Sequence, residues 1–303
     1  MDIRQLQYLA ALAREKHFTR AAMACNVTQP TLSGRIRQFE LELGIPIVER
    51  GQRYQGLTAE GERVLKWAQL ILNNWQSMQQ ELTQIRSSGA DLSGRLVLGG
   101  IPSALPMIPL LTKAVRAVHP HIDFTVMSMS SEEILRGLED YSIEAGITYL
   151  DNEPITGMSS LPLYLERYCL FVPDDHPLAQ RKSVTWKEAA DLPLGLLTNN
   201  MQNRRIIDRA FASANCSPDP ALETNSVINL WSNVRLMGLA SIMPDYIIDV
   251  VGQEPGITAI PLQSPEVAHS VGVVAVARDP LGPLVKAFCQ AAASFSPSGG
   301  SKQ

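Results

Sequence analysis

Apolar residues recur at helical spacing through the first 86 positions, and short apolar runs alternate with helical ones after that. Ile3, Leu6, Leu9, Ala10 and Ala13 mark one face of a first helix. Thr19 to Gly44 divides into two short helices joined by a tight turn at Asn26-Val27. The first carries the small residues Ala21, Ala22, Ala24 and Cys25, so a neighbouring helix can approach closely. The second repeats Leu32, Ile36, Phe39 and Leu43 at spacings of 4, 3 and 4, which is one helical face. Thr28 is placed as its N-cap, with Pro30 in the first turn, where a missing N–H costs nothing. Advancing about 100° per residue leaves Pro30, Thr31, Gly34, Arg37 and Gln38 on the opposite face and Gln29, Ser33 and Arg35 on the flanks. Residues 47–58 then read as a short hairpin: apolar, a Gly and Arg tip, apolar again.

Thr58 caps a long third pattern, with Glu60 and Glu62 in its first turn, where the helix dipole favours negative charge. Val64, Ala68, Ile71, Trp75, Met78, Leu82 and Ile85 recur at 4, 3, 4, 3, 4 and 3. That is strict a/d spacing with polar residues between, and a seam this narrow needs a partner helix. It predicts dimerisation through residues 59–88; the alternative is an amphipathic helix lying on its own domain. Residues 89–94 read as a hinge. Strand-length runs follow at 95–100, 122–127, 144–148, 168–172, 194–197, 221–225, 257–262 and 270–277, with helical patterns between them. This alternation predicts parallel βαβ units. Ser130-x-x-Glu133 and Thr185-x-x-Glu188 are capping boxes that start two of the helices.

Charge sharpens the division. The net charge is −4, yet residues 1–66 hold 10 Lys and Arg against 7 Asp and Glu, so the acidic excess lies in the remainder. One basic end suits a protein that meets nucleic acid there. A helix whose exposed N-terminal half offers amide, hydroxyl and guanidinium groups can read base edges in a major groove. The candidate DNA-binding residues are Thr28, Gln29, Pro30, Thr31, Ser33, Arg35 and Arg37, with Arg50 and Arg53 at the hairpin tip for phosphate or minor groove. The alternative is a solvated polar face.

The order Phe18-Thr-Arg-Ala-Ala, Val27-Thr-Gln-Pro-Thr-Leu-Ser, Ile36, Phe39-Glu40, Leu43-Gly44, Arg50 and Leu57-Thr58-x-x-Gly61 resembles the LysR-type transcriptional regulators. The resemblance is dense over residues 1–61 and looser to about Val276. It departs at Gly34, where many relatives carry a long polar or basic residue. The resemblance implies an α/β chain overall. Its parts would be a winged helix-turn-helix (1–58), a linker helix (59–88), the hinge, and a two-lobed effector domain (95–296) similar to solute-binding proteins. Lobe I would hold 95–163 and 269–296, lobe II 164–268, and 297–303 would be a disordered tail. It further implies a homodimer or homotetramer on a palindromic double-stranded DNA operator, a small-molecule effector, and RNA polymerase as a further partner.

Effectors in such a fold bind where helix N-termini open into the cleft. The candidates are Pro102, Ser103, Ser128, Ser130, Thr148, Asn199, Asn200, Met201, Asn203, Asn225 and Ser226; each hydroxyl or amide is alternatively a helix cap. Amide N–H groups and hydroxyls suit a small anion such as a carboxylate, with Arg204 or Arg205 as counter-charge. No nucleotide, zinc-protease or nucleophile-elbow motif is present, so no enzyme activity, cofactor or metal is expected. Cys25, Cys169, Cys216 and Cys289 are scattered, which predicts reduced thiols; thiol-based redox sensing and a DNA-free dimeric binding protein are the alternative functions. No apolar run approaches the ~18–20 residues of a membrane span, and Met1-Asp2-Ile3-Arg4 does not open a signal peptide. A cytoplasmic protein with no membrane partner is the expectation.

Overall fold

The computed structural model describes residues 1–49, 51, 54–86, 92–151, 155–248 and 256–295. They form two compact units, Met1–Ala90 and Asp91–Gln303. No helix among the described residues is long and apolar enough to cross a membrane.

The first unit holds α1 (Ile3–Glu15), α2 (Phe18–Ala24), α3 (Gln29–Leu43) and α4 (Ala59–Arg86). Asp2 and Gln5 close a capping box on α1, and Thr28 accepts from the Thr31 N–H at the start of α3. Gly44 ends α3 in the left-handed conformation, φ 71°, that glycine adopts without cost. Leu32 and Ile36 pack with Tyr8, Leu12, Ala21 and Ala22, while Phe39 packs with Leu6, Leu9, Ile47, Leu65 and Ala68. The expected hairpin closes as an antiparallel bridge between Val48 and Leu57. Its first strand is held from α3, where the Glu40 carboxylate accepts from the N–H groups of Ile47 (2.7 Å) and Val48 (3.0 Å). Thr58 caps α4 through the Gly61 N–H at 2.9 Å.

The second unit begins with β1 (Gly94–Gly100). A first lobe follows as α5 (Ile108–Val118), β2 (Ile122–Ser128), α6 (Ser131–Glu139) and β3 (Ala145–Tyr149). The long β4 (Met158–Pro173) leads out of it into β5 (Val184–Thr185), α7 (Trp186–Ala190), β6 (Leu194–Leu197), α8 (Gln202–Ser213) and β7 (Leu222–Thr224). α9 (Val227–Met237), β8 (Ala240–Pro244) and β9 (Ile257–Gln263) complete that second lobe; β10 (Ala268–Val276) and α10 (Pro283–Ala293) return to the first. The strand order is β2-β1-β3-β10-β4-β8-β6-β7, with β9 pairing β4 and β5.

The all-parallel expectation is corrected here. Strands linked by helices do run parallel, as β1 with β2 and β3, and β6 with β7. β10 is antiparallel to β3 and β4, and β4 is antiparallel to β8 and β9. A parallel neighbour needs a long crossover, usually a helix. β10 is entered from β9 through a short turn, so it is free to run the other way. The first half of β4 and the buried strand β8 also lie outside the expected runs. Of the expected hinge, residues 89–91 lie outside the described residues, Leu92 is buried and Gly94 opens β1. The tail 297–303 is also outside them.

Candidate DNA-reading helix and effector cleft

α3 buries Leu32, Ile36 and Phe39 and exposes Gln29, Pro30, Thr31, Gly34, Arg35, Arg37 and Gln38; Ser33 is half-buried. Leu43, expected on the buried face, is 39% exposed, because the helix ends there against Gly44. The Thr28 and Thr31 hydroxyls bond each other at 2.8 Å, which holds both beside the helix N-terminus. Arg35 reaches Gln38 at 3.4 Å, whereas a Cβ at Gly34 would meet nothing within 4 Å. Arg50 and Arg53 lie outside the described residues.

The seam on α4 divides in two. Ala68 is buried, and Val64 and Ile71 are half-buried, in the core formed with α1. Ala68 is therefore covered by its own chain, a correction to the expected dimer seam, while Val64 and Ile71 are covered only in part. Trp75, Met78, Leu82 and Ile85 are 42%, 41%, 46% and 68% exposed.

In the second unit a cleft of about 830 Å³ opens between the lobes. Of the expected effector residues, Pro102, Ser128, Asn200, Met201, Asn225 and Ser226 line it, joined by Thr198, Glu133 and Glu223. The others do not. Ser103 is wholly buried rather than a cap, and its carbonyl accepts from the Tyr246 hydroxyl. Ser130 caps α6, accepting from the Glu133 N–H while the Glu133 carboxylate accepts from its own. Thr148 is buried, with its hydroxyl unpaired among the described residues. Asn199 is exposed and off the lining, and Asn203 is buried with its amide donating to the Tyr149 hydroxyl at 3.2 Å.

The expected counter-charge is also spent. The Arg204 guanidinium donates to the Leu197 carbonyl at 2.9 Å, to Asp208 at 2.8 Å and to Glu223. Arg205 donates to the Asn200 carbonyl. The charged residues on the cleft lining are Glu133 and Glu223. Hydrogen bonds from Ser130 keep the Glu133 carboxyl below its usual range, hence ionised.

Sequence reasoning missed the polar cluster beneath the cleft. Glu166 on β4 is fully buried, and its Oε1 accepts from the hydroxyls of Tyr149 and, at 2.9 Å, Tyr168. Burial pushes its carboxyl up to about 7, with the tyrosine hydrogen bonds opposing that rise. The signal available was Tyr164-x-Glu166-x-Tyr168, three polar-tipped residues on one face of a strand. The cysteines sit elsewhere. Burial pushes the Cys169 thiol up to about 12 and those of Cys25, Cys216 and Cys289 above their ordinary value.

A helix-turn-helix with a short β-bridge wing, and a separate two-lobed α/β unit with a cleft, define a ligand-responsive DNA-binding regulator. Residues 3–62 match the family described as bacterial regulatory helix-turn-helix protein, lysR family, and residues 89–296 match the LysR substrate binding domain. The chain belongs to the LysR family of transcriptional regulators and is not an enzyme. It is 28% identical over 276 residues to the hydrogen peroxide-inducible genes activator of Haemophilus influenzae, covering 90% of each chain. It is also 28% identical over 291 residues to the HTH-type regulator YybE of Bacillus subtilis, covering 96% of this chain and 97% of that one. Full-length OxyR from Pseudomonas aeruginosa superposes with a TM-score of 0.77 at 25% identity, covering 98% and 96%. CbnR, solved also with its target DNA, shares the fold at TM-score 0.68 and 19% identity, covering 98% and 100%.

Proposed function

We propose that the chain binds a palindromic operator as a dimer or dimer of dimers, reading bases with Gln29, Thr31, Ser33 and Arg35 and holding the phosphate backbone with Arg37. A small polar effector in the cleft would re-angle the lobes and change how the paired winged helices meet promoter DNA and RNA polymerase. The observation that carries this reading is the exposed amide, hydroxyl and guanidinium face of α3, presented on a core that α1, α2 and α4 fix from behind. Gel shifts on the DNA flanking the gene test it. Gln29→Ala should lose sequence preference by ~1–3 kcal/mol. Arg37→Ala should weaken all sequences alike and reduce the salt slope by about 1. Equal, sequence-blind losses from both would remove base reading from Gln29.

The cleft does not favour the carboxylate-like effector that its hydroxyls and amides suggested. The Glu133 carboxylate on its lining repels an anion, Glu223 and Arg204 offset each other, and Arg205 is already bonded to the Asn200 carbonyl. A ligand rich in hydrogen-bond donors suits Glu133, Glu223, Asn200 and Asn225 better. The peroxide response named for some relatives is not carried over. A reactive thiol needs a depressed pKa, and all four thiols here are pushed the other way.

The exposed lower half of the α4 seam supports pairing of two linker helices. Met78→Lys with Leu82→Lys should split the dimer and leave both units folded, since each side chain is already over 40% exposed. Light scattering coupled to gel filtration reads the mass. A variant that stays dimeric would place the interface elsewhere.

A further inference from the structure

β4 passes from one lobe to the other, and Glu166 sits at that passage with no exposed surface. Its partners come from both sides. Tyr149, at the end of β3, belongs to the first lobe; Tyr168 on β4, Asn203 on α8 and Tyr246 after β8 belong to the second. Oε1 receives the Tyr149 and Tyr168 hydroxyls, with the Asn203 amide at 3.5 Å. Oε2 lies 3.4 Å from the Tyr246 hydroxyl, which itself donates to the carbonyl of Ser103 in the first lobe. Tyr164 donates to that same Tyr246 oxygen at 3.2 Å.

A tyrosine hydroxyl has one proton, and that of Tyr246 is committed to Ser103. Oε2 is therefore the longer, second acceptor that this hydroxyl faces. The carboxyl on β4 and the Ser103 carbonyl of the first lobe thus share the Tyr246 hydroxyl of the second. We propose that Glu166 is a proton-operated latch between the lobes: the neutral acid holds them as described here, and loss of its proton releases them. The proposal rests on reading the cleft as the effector site, because Ser103 follows the lining residue Pro102 and Asn203 lies two beyond Met201. The latch would therefore set how readily the cleft closes on its ligand.

The surroundings support release on ionisation. The hydrogen-bonded partners of Glu166 are all neutral. Desolvation and the Glu166 charge push the hydroxyls of Tyr149 and Tyr168 well above their usual range, so they stay donors; desolvation does the same to Tyr164 and Tyr246. The charged groups nearby are Asp245, beside Tyr246, and the His269–Asp151 pair, whose imidazole meets Tyr149 edge-on at 6.2 Å. Among the described residues, none places a fixed cation on the carboxyl. An ionised carboxylate without a cation is stabilised most cheaply by water. Since the donors belong to two lobes, parting the lobes admits it.

Pulsed electron-resonance distances across the lobes test the latch in the full-length protein, without effector or DNA. Labels on a ketone-bearing amino acid at the exposed positions Lys113 and Arg209 leave the native thiols untouched, and unlabelled chain in excess removes distances between subunits. The wild type should show a short distance below pH about 7 and a longer one above it. Glu166→Gln, neutral at every pH, should keep the short distance throughout. Tyr246→Phe, which removes the shared hydroxyl without removing the acid, should lose the pH response as well, and serves if Glu166→Gln fails to fold. A wild-type distance that ignores pH, or either variant tracking a responsive wild type, overturns the latch. Operator gel shifts run alongside keep the two ideas separate: their failure would sink the regulator reading and leave the distance result standing.

Discussion

Gly61→Ala is expected to cost the first unit more than any other single-methyl change there and to abolish operator binding near its melting temperature. A Cβ at Gly61 would stand 2.1 Å from the Ile47 carbonyl oxygen and 2.9 Å from its carbon. Both are backbone atoms, so no rotamer change relieves the contact. Ile47 is also fixed on every side. Its N–H is bonded to Glu40, its carbonyl accepts the Thr58 N–H at 2.9 Å, and its side chain is wholly buried with Phe39 and Leu65. The start of α4 or the wing strand must therefore shift. Overpacking of this kind costs typically ~1–3 kcal/mol, a large share of a small unit's stability. Gly34→Ala is the contrast. Nothing lies within 4 Å of its Cβ, and it sits inside α3, so alanine should stabilise by up to ~1 kcal/mol. Thermal melting of both variants checks the pair; Gly61→Ala melting with the wild type would show that the α4 start slides freely.

The two glycines illustrate what the sequence makes legible. The α3 face, the Thr28 and Thr58 caps and the Ser130 and Thr185 capping boxes are local patterns, set by residues within four positions of one another, and the structure has them where the spacing places them. Ala68 was misread because a heptad says that a helix face is covered but not by which chain; α1 covers its upper part. Ser103 and Asn203 were placed in the cleft because residues after a strand usually open into it. The Tyr246 hydroxyl, 143 positions from Ser103, instead draws that loop inward. Glu166 stands between the exposed Leu165 and Arg167, which makes it look like one more polar residue on a strand. Its burial depends on tyrosines from β3, β4 and the turn after β8, and no local pattern reports that meeting.

Stability of the second unit should fall as pH rises from about 4.5 to about 7, and Glu166→Gln should flatten that decline. The acid has an ordinary value of 4.5 when unfolded and about 7 when buried. Between those values the folded protein binds the proton and the unfolded chain does not. Stability then decreases with pH, because the unfolded state holds fewer protons. Below about 4.5 both states are protonated, and above about 7 both are ionised, so the effect begins and ends with that window. At ~1.4 kcal/mol per pKa unit the full cost is on the order of 3 kcal/mol. Glu133, Asp174 and Glu188 run the other way: their carboxyls are held below the usual range by hydrogen bonds. They add stability that is present above their unfolded values and lost only as pH falls through the lower folded ones, so their contribution is complete before the Glu166 window closes. Urea unfolding of wild type and Glu166→Gln at matched pH separates the two groups. The difference between the proteins should change steadily across the window and then level off. A difference that is constant from acid to neutral pH would mean that Glu166 keeps the same charge in the folded and unfolded chain.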